Sequence, residues 1–307
     1  MVDVWCPAPN PNFFLTSYFL LAMRHFCYVN GEFFPVDAAQ IYVNDIGLLR
    51  GYGLFDYCRT YNGAPFMPDL YLSRFFCSAT QMQLEVPLAK PHIKEIMEEL
   101  FRRSGFAEVA FRIVLTGGYT DDGITPGVPN LIIMTEPVPP VDERKFTQGI
   151  KVITHEYLRD LPEVKSTNYI RVILLAKEIK AQNAADVLYH YQGEISELSR
   201  SNVFLFKGDT LITPHLNILK GITRRLVLEI AADNFKIQQR TVQLEELWTA
   251  DEVFTTGTTK KVMPIVQIDD QTIGRGKPGD RTRFLLELFN RLTERETSRV
   301  LQMAKSQ

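Results

Sequence analysis

"EVKSTNYIRVILLAKEIKAQNAADVLYHYQGEISELSRSNVFLF", residues 163–206, sets one lysine just ahead of a helix and one glutamate just ahead of a strand. The periodic run IRVILLAKEI predicts a helix over about 168–183, starting near Thr167 or Asn168. SNVFLF, the turn Lys207-Gly208-Asp209 and TLITP read as a hairpin. A plain amphipathic helix has no need of small polar residues and Tyr169 directly after Lys165, nor a strand of Ser201-Asn202 after Glu197. A lysine at a strand-to-helix junction can hold a partly desolvated amine. Desolvation disfavours the ammonium and lowers its pKa, as a lysine that condenses with a carbonyl requires. The competing readings are a solvated lysine at a helix start and, for Glu197, a surface carboxylate at a strand end.

Outward from this stretch, HFCYVNGEFF and LFDYCRTYNGAPFM each carry an Asn-Gly between apolar runs, at Asn30-Gly31 and Asn62-Gly63, and read as hairpins. LYLSRFFCSATQMQL has helical spacing, and a second helix is expected over about 91–104, opened by Pro91 and ended before Gly105. VAFRIVLTGG and NLIIMTEPV read as buried strands. Residues 23–136 thus form a small α+β domain with two helices on a mostly antiparallel sheet. The composition breaks at TEPVPPVDERKFTQG, which places a linker at 137–146 and a larger α/β domain at 147–307. There, strands (IKVITHEYL, SNVFLF, TLITP, DEVFTTGT, VMPIVQIDDQTI) alternate with helices at about 168–183, 222–234 and 280–295.

The 307 residues, 45% hydrophobic and 23% charged, suffice for one large or two medium domains. A net charge of -2 gives no electrostatic footprint for nucleic acid or an anionic membrane. Cysteines 6, 27, 58 and 77 lack paired spacing and the histidines lack ligand spacing, so reduced thiols, no metal and a cytoplasmic location are expected. The ten-residue run FFLTSYFLLA is too short to span a bilayer and lacks a basic flank, so residues 1–22 are expected to be an upstream extension.

KSTNYIRVILLAKEIKAQNAADVLY, GEISELSRSNVFLF, LKGITRRLVLEIA and TTGTTKKVMPI, in this order and spacing, resemble the fold-type IV pyridoxal-5′-phosphate enzymes. That family includes the branched-chain and D-amino acid aminotransferases and aminodeoxychorismate lyase. The resemblance runs from about Arg24 to Asn290 and implies an α/β (α+β) fold whose C-terminal domain is a pseudo-barrel. It implies pyridoxal 5′-phosphate as cofactor, amino acid and keto acid substrates, and a homodimer sharing its active sites. It also assigns residues. Lys165 matches the lysine that carries the cofactor and shuttles the substrate proton, Tyr169 the tyrosine on the phenolic oxygen, and Glu197 the carboxylate facing the pyridine nitrogen. Gly221, Ile222 and Thr223, at a helix start, and Thr258 match the phosphate contacts. Arg74 matches the phosphate arginine, its alternative being a surface arginine on an amphipathic helix. Arg224 and Arg225 are read as solvated helix charges.

For the substrate, Arg50 stands where branched-chain enzymes carry a tyrosine, on a segment that in this family reaches the neighbouring subunit's site. Arg112 stands where they carry a carboxylate-binding arginine. An arginine inside a strand needs an anionic partner, so a structural ion pair is the other reading of Arg112. Two arginines converging on one pocket suit dicarboxylates such as 2-oxoglutarate, and point to a D-amino acid donor of the D-alanine or D-glutamate type. Thr259 joins them as a substrate contact, and Arg200 is a further pocket charge. The loop GGYTDDGITPGVP lacks the arginine-x-histidine pair of D-amino acid aminotransferases. The alternatives are therefore a branched-chain L-amino acid aminotransferase or aminodeoxychorismate lyase.

Overall fold

The computed structural model describes residues 25–140 and 142–305. The extension expected over residues 1–22 lies outside the described residues.

Strand β1 (Phe26–Val29) turns back on β2 (Glu32–Pro35) through Asn30-Gly31, whose φ values are 48° and 115°. Few residues other than Asn and Gly accept that left-handed backbone, which makes the dipeptide a hairpin signature. Asn62-Gly63 serves β3 (Gly53–Tyr61) and β4 (Ala64–Pro65) in the same way. With β5 (Ala110–Thr116) and β6 (Asn130–Glu136) they form a six-stranded sheet ordered β2-β1-β6-β5-β3-β4, antiparallel throughout. Helix α1 (Ile46–Arg50) has no signature in the sequence because five residues are too few for a period. It is held instead by a cap: the buried Asp45 carboxylate accepts from the Gly47 amide, the Thr116 hydroxyl and the Asn130 amide. Helices α2 (Pro68–Gln81) and α3 (Lys90–Ser104) cover the sheet. α2 buries Tyr71, Leu72, Phe75, Ser78 and Ala79, and α3 buries Ile93, Met97 and Leu100, the spacing of one apolar face.

A helix, α4 (Arg144–Gln148), begins within the expected linker and runs past it, because Phe146 is buried in the second core. The second sheet comprises β7 (Ile150–Glu156), β8 (Asp186–Tyr191), β9 (Glu194–Leu198), β10 (Ser201–Lys207), β11 (Thr210–Thr213), β12 (Lys236–Gln239), β13 (Glu252–Gly257), β14 (Lys261–Ile268) and β15 (Gln271–Thr272). Its order is β12-β11-β10-β13-β14-β7-β8-β9, with β15 on β14. Strand β9 also pairs with β10, through Leu198↔Ser201 and Glu197↔Asn202. The path from β10 through β13, β14, β7, β8 and β9 therefore closes on itself as a barrel, and Glu197 sits at the closure. Helix α5 (Ile170–Ala181) makes the crossover between the parallel strands β7 and β8. Helices α6 (Ile222–Ala231) and α7 (Asp280–Lys305) pack on each other and on β13.

Helix α5 starts at Ile170, later than the periodicity predicts, because the preceding backbone is used elsewhere. The Phe55 amide donates to the Lys165 carbonyl and the Thr167 amide to the Gly53 carbonyl, both at 2.9 Å. The chain between β7 and α5 is thus stitched to β3 of the first sheet. One continuous core joins the two sheets, with Leu54, Phe75 and Phe111 in the same cluster as Phe204, Phe254 and Phe289. Among the described residues no helix is long and apolar enough to cross a membrane, and Cys27, Cys58 and Cys77 are free.

Candidate active site

The stitching that delays α5 also fixes Lys165. Its backbone is locked to β3, and its Nζ stands 4.4 Å from the centre of the Phe55 ring. Removal from water, reinforced by the nearby Arg74 and Arg159 guanidiniums and opposed by Asp56 and Glu197, brings its pKa down to about 7. The amine is therefore largely neutral near physiological pH, the form able to attack a carbonyl or accept a proton.

Glu197 and Tyr169 line the same cleft as Lys165. Glu197 is 4% exposed, and burial raises its pKa in spite of Arg159. Its Oε1 accepts from Arg159 Nη1 at 2.6 Å, while Oε2 accepts from the Leu219 amide at 3.0 Å and Asn202 Nδ2 at 3.4 Å. A carboxylate offers about four acceptor positions, so three donors leave room for one more. Tyr169 packs against Phe55 at 5.6 Å between ring centres, and desolvation keeps its phenol protonated.

The far end of the cleft is an anion cup. Helix α6 opens at Ile222 behind an extended Gly221 with no side-chain cap, so its first amides are available to a ligand. A Cβ on Gly221 would stand 2.1 Å from Asn202 Oδ1, so only glycine lets the backbone come this close. Thr223, Thr256 and Thr258 line the cup, and the buried Thr256 hydroxyl has no hydrogen-bond partner among the described residues. Arg74 also lines it, but its Nε and Nη2 donate to the fully buried Asp56 at 2.9 and 2.6 Å. Much of its charge is matched before any anion arrives, so backbone amides and hydroxyls carry most of the cup.

These groups fit pyridoxal phosphate: a near-neutral amine, a carboxylate with one vacant acceptor position, and a phosphate-sized set of donors with an orphaned hydroxyl.

A chamber of about 490 Å³ adjoins the cleft, lined by Phe55, Tyr57, Val114 and Pro139 on its apolar side. Arg112, Arg200, Thr258 and Thr259 also line it, together with Lys165 and Tyr169. The structure bears on the two arginines expected to hold the substrate. Arg112 does not stand free: its guanidinium makes two hydrogen bonds to Glu136, one of them 3.0 Å long, and it lies beside the Phe55 and Tyr57 rings. Arg50 is exposed at the end of α1, donates to the Leu49 carbonyl, and lines neither cavity. The left-handed Gly51 ends α1 there, and the contact expected of Arg50 is with the neighbouring subunit's site rather than with the cavities of its own chain.

Arg224 is likewise not a solvated helix charge. It is 7% exposed, its Nη2 donates to the Pro214 carbonyl and Gln239 Oε1, and burial lowers its pKa to about 10. Arg225 is exposed and paired with Glu229, as expected. The sequence reading misses Arg159, Asp56, Asn202 and Thr256. Arg159 sits in an irregular segment where no period points to it. Asn202 follows Glu197 closely, and the strand register alone reveals that the two face each other.

The model of the family described as amino-transferase class IV matches residues 53–268. The chain is 31% identical over 271 residues to a putative branched-chain-amino-acid aminotransferase of Methanocaldococcus jannaschii, covering 85% of this chain and 94% of that one. It is 30% identical over 278 residues to a D-alanine aminotransferase of Staphylococcus haemolyticus, covering 88% and 99%. A crystal structure of the T.th. branched-chain amino acid aminotransferase with pyridoxamine 5′-phosphate superposes with a TM-score of 0.81 at 26% identity, covering 89% of this chain and 94% of that one. The chain therefore belongs to the class IV aminotransferases, enzymes that work with pyridoxal 5′-phosphate.

Proposed function

We propose that the chain moves the amino group of an amino acid with an aliphatic side chain to 2-oxoglutarate. The observation that carries this reading is the chamber beside Lys165, whose walls Phe55, Tyr57, Val114 and Pro139 suit an apolar side chain. Lys165 would carry the cofactor, with Glu197 on its pyridine nitrogen and Tyr169 on its phenolic oxygen. Gly221, Ile222, Thr223, Thr258 and Arg74 would hold its phosphate, joined by Thr256. Bound pyridoxal phosphate supplies an electron sink for the charge that develops at the substrate's Cα.

The protein's own contribution is positional. Lys165 Nζ, near neutral, takes the proton from Cα. Glu197, held by Arg159, keeps a negative charge at the ring end of the cleft. Phe55 and Tyr169 exclude water from one side of the amine. Thr259 and Arg112 face the chamber the substrate would enter.

Donor handedness is the finer question. An L-branched-chain donor is favoured by the apolar walls, and by the pairing of Arg112 with Glu136, which removes one of the two cations behind the D-amino acid expectation. A D-alanine-type donor is the second reading, supported by relatives of that name. A homodimer accompanies either. Val43, Val128 and Ile173 are 80, 82 and 68% exposed, apolar surface that a second copy would cover, and Arg50 follows Val43 on the same segment of chain.

Incubating the holoenzyme with L-leucine, D-alanine, L-glutamate or D-glutamate, and following loss of the cofactor's visible absorbance, tests the reading. Bleaching by L-leucine and L-glutamate is expected. Bleaching by the D-isomers alone would reverse the handedness. Pyruvate released from aminodeoxychorismate, with no glutamate formed from any donor, would make the chain a lyase.

A further inference from the structure

Four arginines surround the two cavities, and three of them are matched by carboxylates: Arg74 by Asp56, Arg159 by Glu197 and Arg112 by Glu136. Arg200 is different. It lines both the cleft of Lys165 and the adjoining chamber, yet among the described residues no carboxylate forms an ion pair with it. Its backbone is nonetheless well placed. Leu198 pairs with Ser201, so Ser199 and Arg200 form the two-residue link between β9 and β10 at the barrel's closure, three residues beyond Glu197. The side chain is exposed, and its charge is felt at Tyr169.

An enzyme that exchanges an aliphatic amino acid with a dicarboxylic keto acid faces a conflict within one chamber. One substrate needs apolar walls and the other a cation for its distal carboxylate. A permanently buried, unpaired cation would penalise the aliphatic substrate. Arg112 already commits Nε and Nη2 to Glu136, whose carboxylate matches its charge, so only Nη1 is left for a second anion. Arg200 needs only a change of rotamer. It can reach in for a carboxylate and return to water when the side chain is apolar.

We propose that Arg200 binds the distal carboxylate of the dicarboxylic substrate, and that Arg112, tied to Glu136, does not. This rests on the aminotransferase reading with 2-oxoglutarate as acceptor.

The test is equilibrium binding of inert acids to the holoenzyme by calorimetry, with glutarate as the dicarboxylate and pentanoate as its monocarboxylate counterpart. Neither acid can be turned over, so the outcome is independent of whether the enzyme transfers amino groups to 2-oxoglutarate. Wild type is expected to bind glutarate more tightly than pentanoate. Arg200→Gln should weaken glutarate about tenfold and pentanoate less than about twofold, the loss of one charge-assisted contact. Arg200→Lys, which keeps the charge, should retain glutarate affinity within about threefold, while Arg112→Gln should show no selective loss of glutarate. The proposal is overturned if wild type does not prefer glutarate, or if Arg200→Gln leaves glutarate unchanged or weakens both acids alike. A selective loss in Arg112→Gln would overturn it as well.

Discussion

Arg159 donates to Glu197 Oε1 at 2.6 Å and, through its other terminal nitrogen, to the carbonyl of Val164 at 2.9 Å. Val164 is the residue before Lys165, and Arg159 also reaches the Pro162 carbonyl at 3.3 Å. A single planar guanidinium thus ties the carboxylate at one end of the cleft to the loop that carries the amine. Lysine could not make this fork.

Removing that tie should cost both stability and cofactor. In Arg159→Ala, Glu197 is left buried and without its cation, and breaking such a pair costs about 3–5 kcal/mol. A lower urea midpoint is expected, with weaker pyridoxal phosphate binding by equilibrium dialysis. Arg159→Lys should recover part of the stability but less of the cofactor affinity. Unchanged affinity in both variants would contradict the linking role.

Asp56 acts as the resident counterion of Arg74. In Asp56→Asn the guanidinium loses that partner in a buried site, so the apoprotein should be destabilised by about 3 kcal/mol or more. Phosphate can then replace the missing carboxylate. Added inorganic phosphate should therefore raise the melting temperature of Asp56→Asn more than that of wild type. Equal shifts would show that Arg74 does not face the anion cup.

The Lys165 amine should show its low pKa in its reactivity. Raising pH deprotonates it, so the rate at which the apoenzyme captures pyridoxal phosphate should climb through pH 7 and level off above it. An ordinary lysine would keep gaining up to about pH 10.4. The same depression has a stability consequence. Between about pH 7 and the unfolded lysine's pKa the unfolded chain binds the extra proton, so this group's contribution to stability rises with pH across that window. Stopped-flow absorbance against pH reads the first effect, and continued acceleration beyond pH 9 would count against a desolvated amine.

Gly221→Ala pushes a methyl to within 2.1 Å of Asn202 Oδ1. Asn202 must then move, which disturbs its hydrogen bonds to Leu219 and Glu197. Cofactor affinity should fall at least about tenfold, in line with losing one or two hydrogen bonds to a charged group. Thermal stability of the apoprotein should change much less. If affinity is unaffected, the phosphate does not rest on this helix start.

Where a residue's role depends on local pattern, the sequence already displays it. The Asn-Gly turns, the faces of α2 and α3, and the glycine ahead of α6 are all local. Lys165, Tyr169, Glu197, Thr223 and Thr258 emerge from ordered motifs, and they line one cleft. What stays hidden depends on register and crossing. The turn at Gln192-Gly193, with φ of 51° and 82°, uses a glutamine where asparagine is the usual signal, so the sequence does not separate β8 from β9. Closure of the barrel follows from the pairing of Glu197 with Asn202, which no periodicity announces. The partners of Arg112 and Arg74, Glu136 and Asp56, are 24 and 18 residues away in the chain and are brought to them by the fold. For that reason charge neutralisation is the least legible part of the site, and the pairing of Arg112 with Glu136 is not announced by any local pattern.

The most direct measurement is the site of covalent attachment. The holoenzyme is reduced with borohydride and digested, and its peptides are analysed by mass spectrometry. The added mass of the reduced cofactor should fall on the peptide containing Lys165 and be lost in Lys165→Ala. Its appearance on Lys220, Lys260 or Lys261 instead, or retention of cofactor absorbance and normal turnover by Lys165→Ala, would contradict the assignment on which the site is built.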